Sequence, residues 1–362
     1  MTAFIRDFAR PELSTLRPYQ LNSEGLPVRL DSNESPFDLP DRLKQTICDE
    51  LRTVAFNRYP GLLALSLRAR ISSMFGMDDD QITMGNGLDE VIHIILQTFG
   101  PGKKVVVQKP SFSTYAYAAV ASGAELVEVP LSQGPFGLKP DVESLVEQAG
   151  DDPCIVFLCN PHNPTGGRVA TSEIETLVRE TRSLIVVDEA YAEFSGESTM
   201  SLVNRYDRLI VLRTLSKAFG LAGVRVGYAV SSLEVAAELN KVRQPFNIDS
   251  LSLVAAGVAL DHPEYCEKAI SAIVRERERM MSTLARMPGV KCLPSYTNFI
   301  LFRTGMPGQV VWEQLRKRGI AIRMFASEPA LVGYLRVSCG TTRENDAFLN
   351  ALAEIIAFGG DQ

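Results

Sequence analysis

The feature that most constrains the fold is a repeated pattern in the middle of the chain. From about residue 82 to residue 230, a short apolar run is followed by a loop rich in Gly, Pro, Asn or Ser and then by a helical stretch. Short continuous runs of Val, Ile and Leu are typical of strands buried on both faces, as in parallel sheets covered by helices. The pattern therefore predicts an α/β domain with a mainly parallel sheet. The runs lie at residues 104–108, 154–159, 184–187, 209–212 and 227–230.

The pattern changes after about residue 231. A helix is predicted for residues 233–243 and a long helix for residues 251–287, within which Pro263 marks a start or a bend. Short strands then alternate with helices up to the end of the chain, which is typical of an α+β unit. These strands are expected at residues 299–303, 320–323 and 334–338, with a helix at 308–318.

A chain of 362 residues is long enough for two hydrophobic cores. The two patterns predict an N-terminal arm over residues 1–34, a large domain over residues 35–245 and a small C-terminal domain over residues 246–362. We expect the arm to cap the small domain. The helix that begins near residue 251 is expected to connect the two domains.

The charge balance and the cysteine pattern exclude several classes of function. A formal net charge of −6 argues against a nucleic-acid surface, which needs clustered Lys and Arg. No apolar run is long enough to span a bilayer, and the N-terminus lacks the apolar run of a signal peptide. The six cysteines are scattered without the spacing of metal ligands. We therefore expect a cytoplasmic protein without a metal, a nucleic-acid partner or a membrane partner.

Polar or aromatic side chains follow four of the predicted strands, at the point where each strand ends. Phe112 follows the first strand, Asn163 the second, Asp188 and Tyr191 the third, and Lys217 the fourth. In open α/β sheets, ligands bind at the carboxyl ends of the strands. The sequence therefore predicts that one edge of the sheet carries an aromatic ring, an amide, an acid with a phenol, and a lysine.

This set of side chains suits pyridoxal phosphate. That cofactor needs an amine for its aldehyde, an acid facing its pyridine nitrogen, donors to its phenolate oxygen, a flat contact and a phosphate cradle. Lys217 must be neutral to attack the aldehyde, and partial burial beside Arg225 is expected to lower its pKa. We therefore predict that Lys217 carries the cofactor as a Schiff base.

Three motifs carry a resemblance to a known family. Residues 160–166 read NPHNPTG, residues 188–191 read DEAY, and residues 216–228 read SKAFGLAGVRVGY. In this order they resemble the fold-type I pyridoxal-phosphate aminotransferases, and in detail the histidinol-phosphate aminotransferases. The resemblance extends from LRPY at residues 16–19 to LRVSCGT at residues 335–341. A single motif of this kind recurs by chance, whereas several in the right order are specific.

The resemblance implies a transaminase that works by a ping-pong cycle as a homodimer, with active sites at the subunit interface. The implied substrates are histidinol phosphate and imidazole acetol phosphate, with glutamate and 2-oxoglutarate, in histidine biosynthesis. Within the site, it makes Lys217 the Schiff-base lysine and Asp188 the partner of the pyridine nitrogen. Asn163 and Tyr191 would hydrogen-bond to the phenolate oxygen, and Phe112 would stack on the ring.

The resemblance places the cofactor phosphate at a helix N-terminus, where the dipole favours anions. The implied backbone donors are the amides of Gly87, Leu88 and Asp89. The implied side-chain donors are Thr214, Ser216 and Arg225. Tyr59 resembles the tyrosine that the family donates to the phosphate of the neighbouring subunit. Leu88 fills a place where relatives often have serine, so one contact with the phosphate is expected to involve the backbone alone.

The implied substrate pocket contains Tyr19, Asn33, Arg323 and Arg336. Arg336 resembles the arginine that binds the substrate carboxylate, for which a planar two-pronged donor is suited. Arg323 is expected to bind an anionic group as well, although a surface ion pair with an acid such as Glu328 is the alternative. Tyr115 is interpreted as a core aromatic.

Other functions on the same scaffold stay open at this point, because cofactor residues are shared among them. An aromatic-amino-acid aminotransferase, a phosphothreonine-type decarboxylase and an elimination or cyclisation enzyme acting on an arginine derivative all fit. Residues 32–36 read SNESP where the family usually has ANENP, which weakens the prediction of the substrate. A ligand-sensing module of a transcription regulator would need a basic helix-turn-helix extension, and we expect none because the aminotransferase pattern begins within the first twenty residues.

Overall fold

The computed structural model describes residues 8–16, 25–134 and 137–359. Within them the chain forms two main sheets, each covered by helices, and one short hairpin. The strands are β1 (Val28–Leu30), β2 (Ile82–Asn86), β3 (Lys104–Lys109), β4 (Glu125–Pro130), β5 (Ser132–Gly134), β6 (Gly137–Lys139), β7 (Ile155–Cys159), β8 (Leu184–Asp188), β9 (Leu209–Thr214), β10 (Val226–Val230), β11 (Lys291–Cys292), β12 (Phe299–Arg303), β13 (Ile320–Met324) and β14 (Tyr334–Ser338).

The helices of the described residues alternate with these strands. They are α1 (Asp41–Leu51), α2 (Gly61–Phe75), α3 (Gly87–Phe99), α4 (Ser113–Ser122), α5 (Val142–Ala149), α6 (Thr171–Glu180), α7 (Ala192–Ser195), α8 (Leu233–Val242), α9 (Ser250–Leu260), α10 (Pro263–Leu284), α11 (Gly308–Lys317) and α12 (Thr342–Gly359). Short 3₁₀ turns complete the connections, at Pro11–Thr15, Asp79–Gln81, Met200–Arg205, Ala222–Val224 and Pro329–Leu331.

The larger sheet has seven strands in the order β2-β10-β9-β8-β7-β3-β4. The five neighbouring strands β4, β3, β7, β8 and β9 run parallel to one another. Strand β10 runs antiparallel to both β9 and β2. Every residue of β7, β9 and β10 is buried, as expected for strands that are covered by helices on both faces. The predicted α/β fold with a mainly parallel sheet is therefore confirmed.

The smaller sheet has the order β1-β13-β14-β12-β11 and is built mostly from the C-terminal third of the chain. Its edge strand β1 comes from the segment predicted as an N-terminal arm, and Val28 to Leu30 pair in parallel with Ile320 to Ile322. The end of that segment is thus part of the small sheet. The domain bounds drawn from the sequence stay a prediction.

The structure decides between the two alternatives left open for Pro263, a start or a bend. The helical segment predicted over residues 251–287 forms two helices, α9 and α10, separated at Asp261 and His262, so Pro263 marks a start. Pro263 occupies the first turn of α10. Its ring disfavours the helical conformation for the residue before it, and Pro at the first helical position leaves no additional amide unsatisfied.

The start of α3 lies directly against β10. A Cβ atom built on Gly227 would lie 2.6 Å from the backbone nitrogen of Leu88 and 2.8 Å from the carbonyl carbon of Gly87. Because both neighbours are backbone atoms, they cannot rotate away. Glycine at position 227 is therefore what allows the helix N-terminus to approach the sheet.

We expect Gly227→Ala to destabilise the protein by about 1–3 kcal/mol, since overpacking forces the backbone apart. The measurement is the urea midpoint of the apoprotein. Gly223→Ala is the matched control, because an added Cβ there meets no atom within 4 Å. Equal midpoints for the two variants would contradict the interpretation.

Candidate active site

A cavity of about 380 Å³ lies at the carboxyl ends of β3, β7, β8 and β9, facing β13 and β14 of the smaller sheet. It contains most of the residues that the sequence singled out. Its lining includes Asn33, Leu88, Asp89, Phe112, Asn163, Asp188, Tyr191, Thr214, Ser216, Lys217, Arg225, Arg323 and Arg336.

Lys217 follows β9 and is partly buried. Its Nζ atom donates a hydrogen bond to the carbonyl oxygen of Ser32 at 3.2 Å. Burial lowers the pKa of the amine to about 8, and the guanidinium groups of Arg336 and Arg225 act in the same direction. A substantial fraction of the amine is therefore neutral near physiological pH, as a nucleophile or base requires.

Asp188 is the last residue of β8 and is almost fully buried. Its Oδ1 atom accepts a hydrogen bond from the backbone nitrogen of Ala190 at 2.9 Å, and its Oδ2 atom accepts one from the hydroxyl of Tyr115 at 2.5 Å. Burial raises the pKa of the carboxyl to about 6 despite both hydrogen bonds. Among the described residues, no Lys, Arg or His forms an ion pair with this acid. A protonated ring nitrogen would supply the missing cation.

Two further side chains provide donors beside this acid. The Tyr191 hydroxyl oxygen accepts a hydrogen bond from Asn33 Nδ2 at 3.0 Å, and burial raises the pKa of the phenol, which therefore keeps its proton. Asn163 Oδ1 accepts a hydrogen bond from Arg336 Nη1 at 2.6 Å, which leaves the amide nitrogen as a donor. A phenol and an amide donor are the groups that a phenolate oxygen needs.

A candidate cradle for an anion lies at the N-terminus of α3. Gly87 has a φ of 77°, and a Cβ atom there would collide with Nη2 of Arg225. Glycine thus allows the guanidinium to lie over the helix N-terminus, where backbone amides and the dipole already favour an anion. Arg225 also donates to the Ser216 hydroxyl at 3.5 Å and forms an ion pair with Asp89 at 3.2 Å.

Thr214 is engaged mainly with the backbone. Its hydroxyl donates to the carbonyl oxygen of Val226 at 3.3 Å and accepts from the backbone nitrogen of Ser216 at 3.0 Å. These bonds shape the turn that leads to Lys217. Direct contact between Thr214 and a phosphate stays a prediction.

Arg323 and Arg336 are directly opposite each other on β13 and β14. Like charges at facing positions of antiparallel strands repel each other. Arg336 is held by hydrogen bonds to Asn163 and to the carbonyl oxygen of Asp31, and its guanidinium lies 5.0 Å from the ring centre of Phe299. Both arginines line the cavity, which favours an anionic ligand between or beside them.

Of the predicted site residues that the structure describes, Tyr59 and Gly87 do not line the cavity. Tyr59 is 79% exposed and stacks on Phe246, with ring centres 4.6 Å apart. Tyr19 lies outside the described residues. Tyr115 is buried, as the prediction of a core aromatic required. The sequence analysis missed the hydrogen bond that its hydroxyl donates to Asp188. The three-residue spacing between Phe112, which precedes α4, and Tyr115 indicates only that the two rings lie near each other, and it does not indicate the partner of the hydroxyl.

The residues of the cavity fit pyridoxal phosphate. They provide a lysine with a lowered pKa, a buried acid without a paired cation, two hydrogen-bond donors, an aromatic ring and a cradle for an anion. Residues 27–352 match the family described as "Aminotransferase class I and II". The chain belongs to this family and is a pyridoxal-phosphate-dependent enzyme.

Two curated relatives and one solved structure that this chain is similar to are named as histidinol-phosphate aminotransferases. The chain is 40% identical over 343 residues to a histidinol-phosphate aminotransferase of Thermococcus gammatolerans, covering 95% of this chain and 96% of that protein. It is 36% identical over 354 residues to one of Thermoanaerobacter pseudethanolicus, covering 97% and 99%. The crystal structure of the Sinorhizobium meliloti histidinol-phosphate aminotransferase in complex with pyridoxal-5′-phosphate superposes with a TM-score of 0.85 at 26% identity, covering 96% and 97%.

Other kinds of site are not found in the part of the chain that the structure describes. None of its helices is long and apolar enough to cross a membrane. Its His, Cys, Asp and Glu side chains form no group that could hold a metal ion.

We expect the apoprotein to capture pyridoxal phosphate at a rate that rises with pH through about 8, because the neutral amine of Lys217 is the reactive form. The measurement is stopped-flow absorbance, followed by borohydride reduction and peptide mapping. Arg336→Gln should move the midpoint to higher pH, since it removes a nearby positive charge. Lys241→Ala, on the surface of α8, is the control. A label on another lysine, or a midpoint near that of a free lysine at about 10.4, would contradict the assignment.

Proposed function

We propose that the enzyme transfers an amino group between histidinol phosphate and 2-oxoglutarate, giving imidazole acetol phosphate and glutamate, as a step of histidine biosynthesis. The observation that carries this proposal is the facing pair Arg323 and Arg336 at the wall of the cavity. The names of the relatives at 36–40% identity over nearly the whole chain support it.

The catalytic roles follow from the geometry around β8 and β9. We assign to Lys217 the covalent attachment of the cofactor aldehyde and, once released, the proton taken from the α-carbon of the substrate. Asp188, as a carboxylate, would keep the ring nitrogen of the bound cofactor protonated. Bound pyridoxal phosphate supplies an electron sink for the negative charge that develops at that carbon.

The remaining side chains hold and orient the cofactor. Asn163 and Tyr191 would donate to its phenolate oxygen, and Phe112 would cover one face of its ring. The cradle at the start of α3 would hold its phosphate through backbone amides, Ser216 and Arg225, because an arginine beside a helix N-terminus binds a dianion strongly.

The arginine pair explains how one site can accept two unlike substrates in turn. Histidinol phosphate carries a phosphate and no carboxylate, whereas glutamate carries two carboxylates. Arg336, which is fixed by Asn163 and Asp31, suits a planar carboxylate, and Arg323 on the neighbouring strand suits the distal anion of either substrate. Asn33, which bonds to Tyr191 in the cavity, would shape the same pocket.

Arg323→Gln should reduce the preference for the phosphorylated amine. In a coupled assay at saturating 2-oxoglutarate, the wild type is expected to prefer histidinol phosphate over histidinol. The variant should lose a factor of roughly 10 to 100 in kcat/KM for histidinol phosphate but not for histidinol. Arg303→Gln is the matched control, because Arg303 is an exposed arginine of the same sheet.

A panel of other amines in the same assay separates the alternatives. Aromatic amino acids test an aromatic aminotransferase, and release of carbon dioxide from phosphothreonine tests a decarboxylase. If the wild type does not distinguish histidinol phosphate from histidinol, the histidine-pathway function is wrong, while the assignment of the cofactor is unaffected.

We propose further that the enzyme is a cytoplasmic homodimer in which Tyr59 reaches the phosphate of the neighbouring subunit. Phe56, Tyr59 and Leu62 are 75%, 79% and 83% exposed, and Phe246 beside Tyr59 is also exposed. Clustered exposed rings and leucines of this kind favour burial by a second protein surface. The isologous contact of a twofold dimer would cover the patch on both subunits.

Mixed dimers test this sharing of residues. Tyr59→Phe is expected to weaken cofactor binding several-fold, measured by titration of the apoprotein. Dimers that combine one Lys217→Ala subunit with one Tyr59→Ala subunit should contain one intact site and recover part of the activity. A lack of recovery, when mass spectrometry shows that subunits have exchanged, would mean that each site uses residues of one chain only.

A further inference from the structure

Tyr115 is a buried residue whose hydroxyl points to the site. Its ring stacks on Phe157, with ring centres 4.9 Å apart, and meets Phe112 edge to face at 5.6 Å. The side chain is 1% exposed, and its hydroxyl donates to Oδ2 of Asp188 at 2.5 Å. The ring is thus fixed by packing, so the hydroxyl reaches the carboxylate from a defined direction.

A purely structural role would not require the hydroxyl. Phenylalanine would fill the same space between Phe112 and Phe157, and it would not bury a polar atom. The hydroxyl instead supplies one of two donors to Asp188, the other being the backbone amide of Ala190. One donor binds each carboxylate oxygen, and together they fix the plane of the carboxylate.

The surroundings of Asp188 otherwise oppose its negative charge. Burial is the largest effect that raises the pKa of this acid, and Asp89 of α3 and Glu189 after β8 raise it further. Glu189 is itself paired with Arg213. The thiol of Cys159, on the neighbouring strand β7, stays protonated because burial raises its pKa. The hydroxyl of Tyr115 and the amide of Ala190 are the groups that act in the opposite direction.

We propose that Tyr115 is a positioning residue that holds the Asp188 carboxylate in the orientation and charge state that the cofactor ring nitrogen requires. The inference rests on the role proposed for Asp188 and is independent of which amine is the substrate. Loss of the hydroxyl leaves one donor on a desolvated carboxylate. The carboxyl then becomes protonated at a higher pH, and a neutral carboxylic acid no longer favours a protonated ring nitrogen.

The test uses the Tyr115→Phe variant, and the first measurement is the titration of the Asp188 carboxyl group in the apoprotein. In apoprotein labelled with ¹³C at the aspartate carboxyl carbons, Asp188→Asn identifies the Asp188 signal. We expect the wild-type signal to titrate near pH 6 and that of Tyr115→Phe to titrate at higher pH. Tyr228→Phe is the matched control, because Tyr228 is another fully buried tyrosine of the large domain and should leave the signal unchanged.

The loaded enzyme gives the second measurement. Tyr115→Phe should lower kcat roughly 10- to 100-fold with little change in KM, since a hydrogen bond to a charged group is lost away from the substrate. The acidic limb of the pH profile should move to higher pH. In the Asp188→Ala background, the same substitution should have no further effect on kcat, because the group through which Tyr115 acts is absent.

Several outcomes would overturn the proposal. A lower melting temperature with an unchanged titration and pH profile would make Tyr115 structural only, and an equal loss of kcat in the Asp188→Ala background would mean that it acts through another group. Near-normal turnover of Asp188→Ala alone would instead refute the role of Asp188. If Tyr115→Phe does not fold, 3-fluorotyrosine at position 115 keeps the packing and strengthens the donor. The titration should then move to lower pH, and an unmoved midpoint would refute the inference.

Discussion

The burial of two opposite charges at the end of a parallel sheet is the constraint on which the rest of the site depends. Desolvation raises the pKa of Asp188 to about 6 and lowers that of Lys217 to about 8. The folded apoprotein therefore holds the proton of the acid more tightly than the unfolded chain, and stability falls as pH rises from about 4 to about 6. It holds the proton of the lysine less tightly, so stability rises again from about 8 to about 10.5. Between these windows both charges are desolvated, and a cofactor with a cationic ring nitrogen and an aldehyde removes both penalties.

The cavity is completed by contacts between parts of the chain that are far apart in sequence. Arg336 of the small sheet bonds to Asn163 of the large domain and to the backbone of Asp31. Asn33, whose φ of 54° is in the left-handed region, bonds to Tyr191 and to Ser338. The segment that supplies β1 thus links both sheets at the site. A shift of one sheet against the other would change the donors around the cofactor as well as the substrate pocket.

Much of the fold and of the cavity could be predicted from the sequence, because buried parallel strands leave continuous apolar runs and ligand residues follow their ends. The strand bounds differ by one or two residues, since polar residues such as Asp188 and Thr214 continue the ladder past the apolar run. The pairing of β1 could not be predicted, because three residues carry no periodicity. The hydrogen bond of the Tyr115 hydroxyl was missed for a different reason. Periodicity indicates that a ring is buried, but it does not indicate which group the hydroxyl of that ring contacts.

The arginine pair is an example of a binding site that contains unfavourable electrostatic interactions when it is empty. Facing arginines on adjacent strands repel, and Arg336 also opposes the protonation of Lys217. Both effects are unfavourable in the apoprotein, and under the proposed function a dianionic substrate beside the two arginines would reduce both. A neutral substrate would leave the repulsion in place, so discrimination arises from the penalty in the empty site as well as from new contacts. A similar argument applies to the cradle. Gly87 and Gly227 contribute no side-chain packing, and their lack of a Cβ atom lets the Arg225 guanidinium and the N-terminus of α3 lie where both can face one anion. The cavity therefore offers two separate positions for anions, the cradle at the start of α3 and the arginine pair of β13 and β14.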